Sequence, residues 1–223
     1  MMELKYIIFD MDGVIFDTER MYLECCKPAA EKLGLEDIET VSMKCIGFTR
    51  EATDNLLREH YGQDAPIDAF NEETRNEFLR RYHSEGMPVK KGAREILAWI
   101  NENKIPVALA SSTGTEIVKT ELEQERLKQF FHVIVGGDMV SRSKPAPDIF
   151  LKAAELLSAD PKECVVIEDS FNGVRAAWAA GMNVIMVPDL LQPDDEIRSL
   201  ANEVKGSLLE VLDYFQGLLD AKA

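Results

Sequence analysis

The sequence is poor in cysteine and histidine and has no long hydrophobic run. Its four cysteines are irregularly spaced without a CxxC pair, and none of its three histidines is spaced with a cysteine. This scarcity argues against a disulfide framework and a zinc site, and it is typical of a reduced, cytoplasmic protein. No apolar stretch approaches the roughly 18–20 residues that span a bilayer. The first residues also meet an acidic pair too early for a secretory signal.

Positive charge is scarce as well. The chain has 25 Lys and Arg residues against 40 Asp and Glu residues, so its formal net charge is −15. Because a nucleic acid or an anionic membrane is bound through a basic surface, we expect neither as a partner. No apolar stripe is left over on the outside of the expected elements, which favours a monomer.

Short apolar runs alternate with helical patterns over most of the chain. The runs cover residues 6–9, 105–110, 133–135, 164–167 and 183–187, and they are apolar throughout, as strands buried on both faces of a parallel sheet are. Helical periodicity predicts helices over residues 92–103, 115–130, 148–158, 172–180 and 207–220. Thr113 and Glu116 form a capping-box pattern before the second of these helices. The alternation predicts a doubly wound, Rossmann-like α/β domain with a parallel sheet.

One interval breaks this alternation. Almost a hundred residues separate the first two apolar runs, and they contain helical patterns over 18–33, 49–61 and 67–84 but no convincing strand. Such a block is far longer than a crossover connection. We therefore predict an inserted helical domain over residues 17–86 and an α/β core formed by residues 1–16 and 87–223. Pro28 is expected to kink or restart the first inserted helix.

Charged and polar residues follow four of the predicted strands. They are Asp10, Asp12, Ser111, Lys144, Glu168 and Asp169. Ligands of open parallel sheets bind at the carboxyl ends of the strands, near a switch in strand order. Carboxylates brought together there repel each other unless a cation neutralises them, and oxygen ligands without histidine favour Mg²⁺.

Each of these residues also has an ordinary explanation when it is taken separately. Asp-x-Asp-Gly is a common turn sequence, Ser111 suits a helix cap, and Lys144 suits a solvated surface. A calcium loop would need glycine at its sixth position and a carboxylate at its twelfth, whereas Gly13 is fourth and Met21 is twelfth. The occurrence of all the residues in order, each at a strand end, favours one functional site.

These motifs carry a family resemblance. Phe9-Asp10-Met11-Asp12-Gly13-Val14, together with Ser111, Lys144 and Glu168-Asp169, resembles the four motifs of the haloacid dehalogenase-like superfamily. The segments 143–150 and 168–177 are similar in particular to the beta-phosphoglucomutase-like branch. In that branch the helical insert after the first motif is a mobile cap domain. The resemblance spans nearly the whole chain.

The resemblance implies a role for each motif residue. Asp10 would be the nucleophile that forms an aspartyl-phosphate, and Asp12 would be the general acid and base. The ligands of Mg²⁺ would be Asp10, Asp12 through its backbone carbonyl, Asp169, and Glu168 as a ligand or an orienting group. Phosphate would be bound by Ser111, Ser112 and Lys144. The substrate would be a small phosphorylated metabolite.

The inserted domain would then decide between two reactions. Beta-phosphoglucomutases carry a histidine four residues after a threonine that matches Thr18, and Tyr22 stands at that position here. Since tyrosine is a poor acid or base at neutral pH, a phosphatase is favoured over a phosphosugar mutase. Gly47-x-Thr49-Arg50 resembles the cap segment whose arginine binds a distal anionic group, and Arg75 is a weaker candidate. A non-catalytic module that binds a phosphorylated ligand is a third, remote alternative.

Overall fold

The protein divides into two compact units. A computed structural model describes residues 4–46 and 50–221. One unit comprises Met1–Phe16 with Val89–Ala223, and the other comprises Asp17–Pro88. None of the helices in the described ranges is both long enough and apolar enough to cross a bilayer.

The unit Asp17–Pro88 is helical. Its helices are α1 (Thr18–Leu33), α2 (Ile38–Met43), α3 (Arg50–Tyr61) and α4 (Ile67–Glu85). They enclose a small apolar core in which Cys26, Leu57 and Phe70 are almost fully buried. Helix α1 continues through Pro28, so the predicted restart does not occur. Pro28 is exposed, whereas the neighbouring residues of the helix pack inward, and this packing offsets the lost hydrogen bond.

The other unit is built on a six-stranded parallel sheet. Its strands are β1 (Tyr6–Phe9), β2 (Val107–Ala110), β3 (Val133–Val135), β4 (Cys164–Glu168), β5 (Asn183–Met186) and β6 (Glu203–Val204). The order across the sheet is β3-β2-β1-β4-β5-β6. This confirms the predicted doubly wound sheet, although the two-residue β6 was not predicted. The apolar runs behave as expected, since every residue of β2 and β4 is buried.

Helices cover both faces of the sheet. They are α5 (Ala93–Glu102), α6 (Thr115–Gln124), α7 (Asp148–Leu157), α8 (Phe171–Ala179), α9 (Asp195–Leu200) and α10 (Leu208–Asp220). On one face, Phe150 of α7 and Val174 of α8 share a core with Ile8 and Val166 of the sheet. Helices α5 and α10 pack together through Trp99 and Phe215, whose ring centroids are 6.3 Å apart.

Two local predictions in this unit are wrong. The predicted helix 115–130 ends at Gln124, because Arg126 adopts a left-handed conformation (φ 55°) and a short 3-10 helix, Lys128–Phe130, follows. The predicted capping box is absent too, because the side chain of Thr113 does not cap α6. Asp138 does so instead: its Oδ1 accepts hydrogen bonds from the backbone N–H of Thr115 at 2.7 Å and from its hydroxyl at 2.6 Å.

The strand order places a switch point at β1. Strands β2 and β3 lie on one side of it and β4 to β6 on the other, with Ile8 paired to Ala108 and to Val166. The chain therefore leaves β1, β2 and β4 at adjacent points of one edge. This is the edge of an open α/β sheet at which ligands bind.

Candidate active site

Asp10 occupies the centre of this edge. It follows β1 directly, and its backbone N–H donates to the Ile167 carbonyl of β4 at 3.0 Å. Its side chain is buried, with 8% exposed. Gly13 allows the chain to turn at once, since its φ is 78° and a Cβ there would lie 2.1 Å from Asp169 Oδ2. The turn thus brings Asp10 and Asp169 to the same small space.

Lys144 joins two carboxylates from different strands. Its Nζ lies 2.5 Å from Asp10 Oδ1 and 2.8 Å from Glu168 Oε1. The ammonium also lies 4.8 Å from the ring centroid of Phe150, and the lysine side chain is buried. Burial would lower the pKa of Lys144, but the negative charges of Asp10 and Glu168 outweigh it, so the pKa is raised and the lysine stays charged.

Glu168 is the most constrained carboxylate of the site. It is fully buried, and its Oε2 accepts hydrogen bonds from the backbone N–H and the hydroxyl of Ser170, at 2.6 and 2.9 Å. Its Oε1 is the acceptor for Lys144. Gly173, in the first turn of α8, leaves the space that this side chain fills, since a Cβ there would lie 1.6 Å from Oε1. Both oxygens of Glu168 therefore already have donors.

Three carboxylates form a group that could hold a metal ion. One oxygen each of Asp10, Glu168 and Asp169 lies within 4.8 Å of the others. Burial raises the pKa of Asp10 to about 7, with Glu168 and Asp12 adding to the rise and Lys144 opposing it. Burial and the charges of Glu168 and Asp10 raise the pKa of Asp169 well above its ordinary value. Three carboxylates facing one lysine leave excess negative charge, which fits a hard cation with oxygen ligands.

The end of β2 contributes hydroxyl groups. Ser111 is fully buried, and its Oγ accepts the backbone N–H of Thr113 at 3.0 Å. The hydroxyls of Ser111 and Thr113 each approach Asp12 Oδ2 at 3.4 Å, so the general acid and base suggested by the sequence lies beside the β2 end. The side chain of Ser112, in contrast, is exposed.

The four substrate residues suggested for the inserted unit differ in their surroundings. Thr18, the first residue of α1, and Tyr22 are partly buried, whereas Arg50 and Arg75 are exposed. Arg50 pairs with Asp54 at 3.1 Å. Burial is the main cause that raises the pKa of Tyr22 to about 12. Gly47 and Thr49 lie outside the described residues.

Sequence reasoning missed two buried carboxyl groups of the α/β unit. Asp189 follows β5 and pairs with Lys90 at 2.6 Å. The apolar run before it could have revealed it by the same strand-end rule that found Asp169. Glu121 lies on the buried side of α6, where burial and the charge of Asp12 raise its pKa to about 7. No sequence signal distinguishes Glu121 from a surface glutamate.

Comparison with known proteins identifies the family. The model of the haloacid dehalogenase-like hydrolase family matches residues 7–187, which is more than half of the chain. The protein therefore belongs to this family, and the resemblance noted in the sequence is confirmed.

Several curated relatives are named as phosphatases. The chain is 36% identical to a *Drosophila melanogaster* protein assigned as a pseudouridine-5'-phosphatase, over 93% of this chain and 91% of that one. It is 34% identical to a phosphorylated carbohydrates phosphatase of *Thermotoga maritima*, over 82% and 84%. It is 36% identical over 95% of its length to the bifunctional riboflavin kinase/FMN phosphatase of *Arabidopsis thaliana*, of which it spans only 53%. These relatives confirm the prediction of a phosphoric monoester hydrolase.

A solved structure shares the whole fold. It is that of a *Thermotoga maritima* protein provisionally assigned as a beta-phosphoglucomutase, with a TM-score of 0.80 and 31% identity. The match covers 96% of this chain and 99% of that one.

Proposed function

We propose that the protein is a Mg²⁺-dependent phosphatase that hydrolyses a small, sugar-phosphate-like monoester through an aspartyl-phosphate on Asp10. The observation that carries this proposal is the arrangement around Asp10. A buried lysine holds its carboxylate at 2.5 Å, and Asp12, two residues later, lies beside the hydroxyls of Ser111 and Thr113. The proposed nucleophile, charge-neutralising group and acid/base group therefore lie near one another, which supports this proposal.

Asp10, Asp169 and the backbone carbonyl of Asp12 are the proposed metal ligands. Glu168 orients this shell, because its oxygens already accept hydrogen bonds from Ser170 and Lys144. A bound Mg²⁺ would neutralise charge on the carboxylates and on the phosphoryl oxygens.

Asp10 and Asp12 both take part in each of the two proposed half-reactions. A carboxylate oxygen of Asp10 bonds to phosphorus while the ester P–O bond breaks, and the protonated Asp12 gives its proton to the leaving oxygen. Asp12, now ionised, then takes a proton from the water that attacks phosphorus. The bond to Asp10 breaks, and inorganic phosphate leaves. The charge of Lys144 favours the ionised form of Asp10, in opposition to the burial that raises its pKa, and offsets the approach of two anions.

The phosphoryl group is bound by the β2 end and Lys144. Ser111, Ser112 and N–H groups at the start of α6 are the proposed donors to its oxygens, apart from the Thr115 N–H, which donates to Asp138. Since Ser112 has an exposed side chain, its hydroxyl is accessible to a ligand.

The unit Asp17–Pro88 is the proposed cap that selects the ester. Thr18, Arg50 and Arg75 are its candidate substrate residues, and Arg50 would bind an anionic or hydroxylated part of the substrate. The named activities of relatives, on a pseudouridine phosphate and on phosphorylated carbohydrates, favour a phosphate carried by a hydroxylated carbon skeleton.

The alternative is a phosphosugar mutase, which the assigned name of the *Thermotoga maritima* structure suggests. A mutase needs an acid or base that activates a sugar hydroxyl in the cap. Tyr22 stands at the position where beta-phosphoglucomutases carry a histidine, and its pKa of about 12 keeps the phenol protonated near neutral pH. This observation favours hydrolysis.

The cytoplasm is the proposed compartment. All four cysteines are free, and Cys25, Cys26 and Cys164 are buried. Unpaired thiols are typical of a reducing environment.

Phosphorus NMR tests the proposed function. The purified protein is mixed with Mg²⁺ and a pool of small phosphate monoesters that includes beta-glucose 1-phosphate. We expect the signal of inorganic phosphate to grow and this growth to stop when the metal is chelated. The ester whose signal decreases is the substrate. Conversion of glucose 1-phosphate to the 6-phosphate with little free phosphate would establish the mutase instead.

A further inference from the structure

A buried carboxylate after β5 has no part in the mechanism above. Asp189 has a side chain that is only 5% exposed, and its Oδ1 accepts a hydrogen bond from Lys90 at 2.6 Å. Its Oδ2 is also buried, yet it accepts no hydrogen bond from any residue in the described part of the chain. A buried carboxylate oxygen without a donor is costly, so this oxygen is an acceptor for a donor outside the described residues, such as a bound water molecule.

Asp189 follows the strand that neighbours the one carrying Glu168 of the active site. Strand β5 pairs with β4 so that Met186, the last residue of β5, is opposite Glu168. The two strands are parallel, so the loop with Asp189 leaves the same sheet edge as Asp169. The charge of Asp189 also contributes to the raised pKa of Asp169.

Lys90 fixes the orientation of this carboxylate. Its own backbone N–H donates to the Ile15 carbonyl at 2.9 Å, which anchors the lysine to the segment after β1. The ammonium engages Oδ1 and leaves Oδ2 as the remaining acceptor. The pair therefore presents one oxygen in a defined direction.

We propose that Asp189 is a positioning residue of the metal site, whose Oδ2 accepts a hydrogen bond from a water molecule bound to the divalent cation. This inference rests on the proposed function, because it requires a cation held by Asp10 and Asp169. A water ligand of a hard cation is a strong donor, and Mg²⁺ usually keeps several such waters in a protein site. Carboxylates that bind ligands in this indirect way tune metal affinity.

The test is calorimetric titration of the metal-free full chain with Mg²⁺ alone. We expect Asp189→Asn to weaken Mg²⁺ binding about 10- to 100-fold, as losses of such outer groups do. The control is Glu203→Gln, which removes one negative charge from another lysine pair of the same unit, Glu203–Lys205. This control is expected to bind Mg²⁺ nearly as the unmodified protein does.

A double variant separates positioning from structural support. Asp189→Asn removes the carboxylate charge that pairs with Lys90, and this can lower stability. Adding Lys90→Met removes the lysine charge as well and restores the net charge of the unmodified chain. We expect thermal stability to recover in the double variant while Mg²⁺ affinity stays low.

Three results would overturn the inference, and they are distinguishable. Unchanged Mg²⁺ affinity in Asp189→Asn, or affinity that recovers with stability in the double variant, would make the pair purely structural and leave the proposed phosphatase intact. Failure of the unmodified protein to bind Mg²⁺ would remove the metal site of the proposed function as well.

Discussion

At the scale of single residues, Asp10 and Asp12 are chemically identical side chains in different surroundings. Asp10 is buried and held by Lys144 at 2.5 Å. Asp12 is partly exposed, and its Oδ2 lies 3.4 Å from two hydroxyl groups. These hydroxyl groups can rotate when Asp12 gains or loses a proton. The first environment suits a fixed nucleophile, and the second suits a group that gains and loses a proton.

Substitution of the two aspartates should therefore have different effects on turnover. We expect Asp10→Asn to lower kcat by at least about 10³-fold, because no covalent intermediate forms. Asp12→Ala should slow turnover by about 10²- to 10⁴-fold and leave some protein phosphorylated, visible by intact-protein mass spectrometry after a rapid quench. Asp213→Asn, on the exposed side of α10, is the control with unchanged turnover. Full activity in Asp10→Asn would contradict the mechanism.

Glu121 is a residue whose burial should make stability depend on pH. Its side chain is buried on α6, its Oε2 has no hydrogen-bond donor among the described residues, and its pKa is raised from 4.5 to about 7. The folded protein therefore keeps a proton that the unfolded chain loses above about pH 4.5. The contribution of this group to the free energy of unfolding is fully present below pH 4.5 and is lost as the pH rises through about 7.

Glu121→Gln should remove this dependence. In the presence of a chelator, we expect the variant to gain roughly 1 kcal/mol in the free energy of unfolding between pH 5 and pH 8, relative to the unmodified protein. This value is reduced from the full linkage energy because solvent screens the charge. Urea unfolding at the two pH values measures it. An equal difference at both would show that Glu121 ionises normally in the folded state.

At the scale of elements, the turn from β4 into α8 builds much of the site. It carries Glu168 and Asp169, and Ser170 both caps α8 through the Gly173 N–H and donates to Glu168. The hydroxyl group of Ser170 thus stabilises both the start of α8 and the side chain of Glu168. A change in the packing of this turn is therefore expected to affect stability and catalysis together.

Gly173→Ala tests that connection. The new methyl group would meet the side chain of Glu168, which cannot move aside because Ser170 and Lys144 hold it. We expect a loss of about 1–3 kcal/mol in stability and a large loss of kcat. Gly217→Ala in α10 is the matched control, since nothing lies within 4 Å of its Cβ, and it should gain roughly 0.5–1 kcal/mol. Unchanged activity in Gly173→Ala would mean that Glu168 need not be fixed.

At the scale of the whole molecule, the chain has excess negative charge, and three of its carboxylates form the proposed cation site. The chain carries a net charge of −15, and its buried carboxylate group adds repulsion inside the α/β unit. A divalent cation that binds only the folded protein relieves this repulsion and stabilises the fold by mass action.

Mg²⁺ should accordingly raise the melting temperature. At about 100 times its Kd, the expected stabilisation is about 2.7 kcal/mol, or roughly 5–10 °C in Tm for a chain of this size. Differential scanning calorimetry, with NaCl of matched ionic strength as the control, measures the shift. The same shift in Asp169→Asn would place the stabilising ion elsewhere.

The sequence by itself determined the order of elements and the chemistry of the strand ends. Apolar runs and helical periodicity report local burial, so they predicted β1 to β5 and the helical insertion. The motif residues Asp10, Lys144 and Glu168 could be grouped because parallel strands end at one edge. Short elements such as β6 and α9 escaped prediction, because a few residues carry too little periodicity.

Only the tertiary structure decided which groups meet. Asp138 caps α6 from a later 3-10 helix, Gly137–Met139, and this replaces the predicted role of Thr113. Lys90 and Asp189 pair across 99 residues of sequence, and Glu121 becomes buried on a helix that is otherwise ordinary. Such contacts depend on how elements pack, and packing between distant segments leaves no periodic signal in either segment.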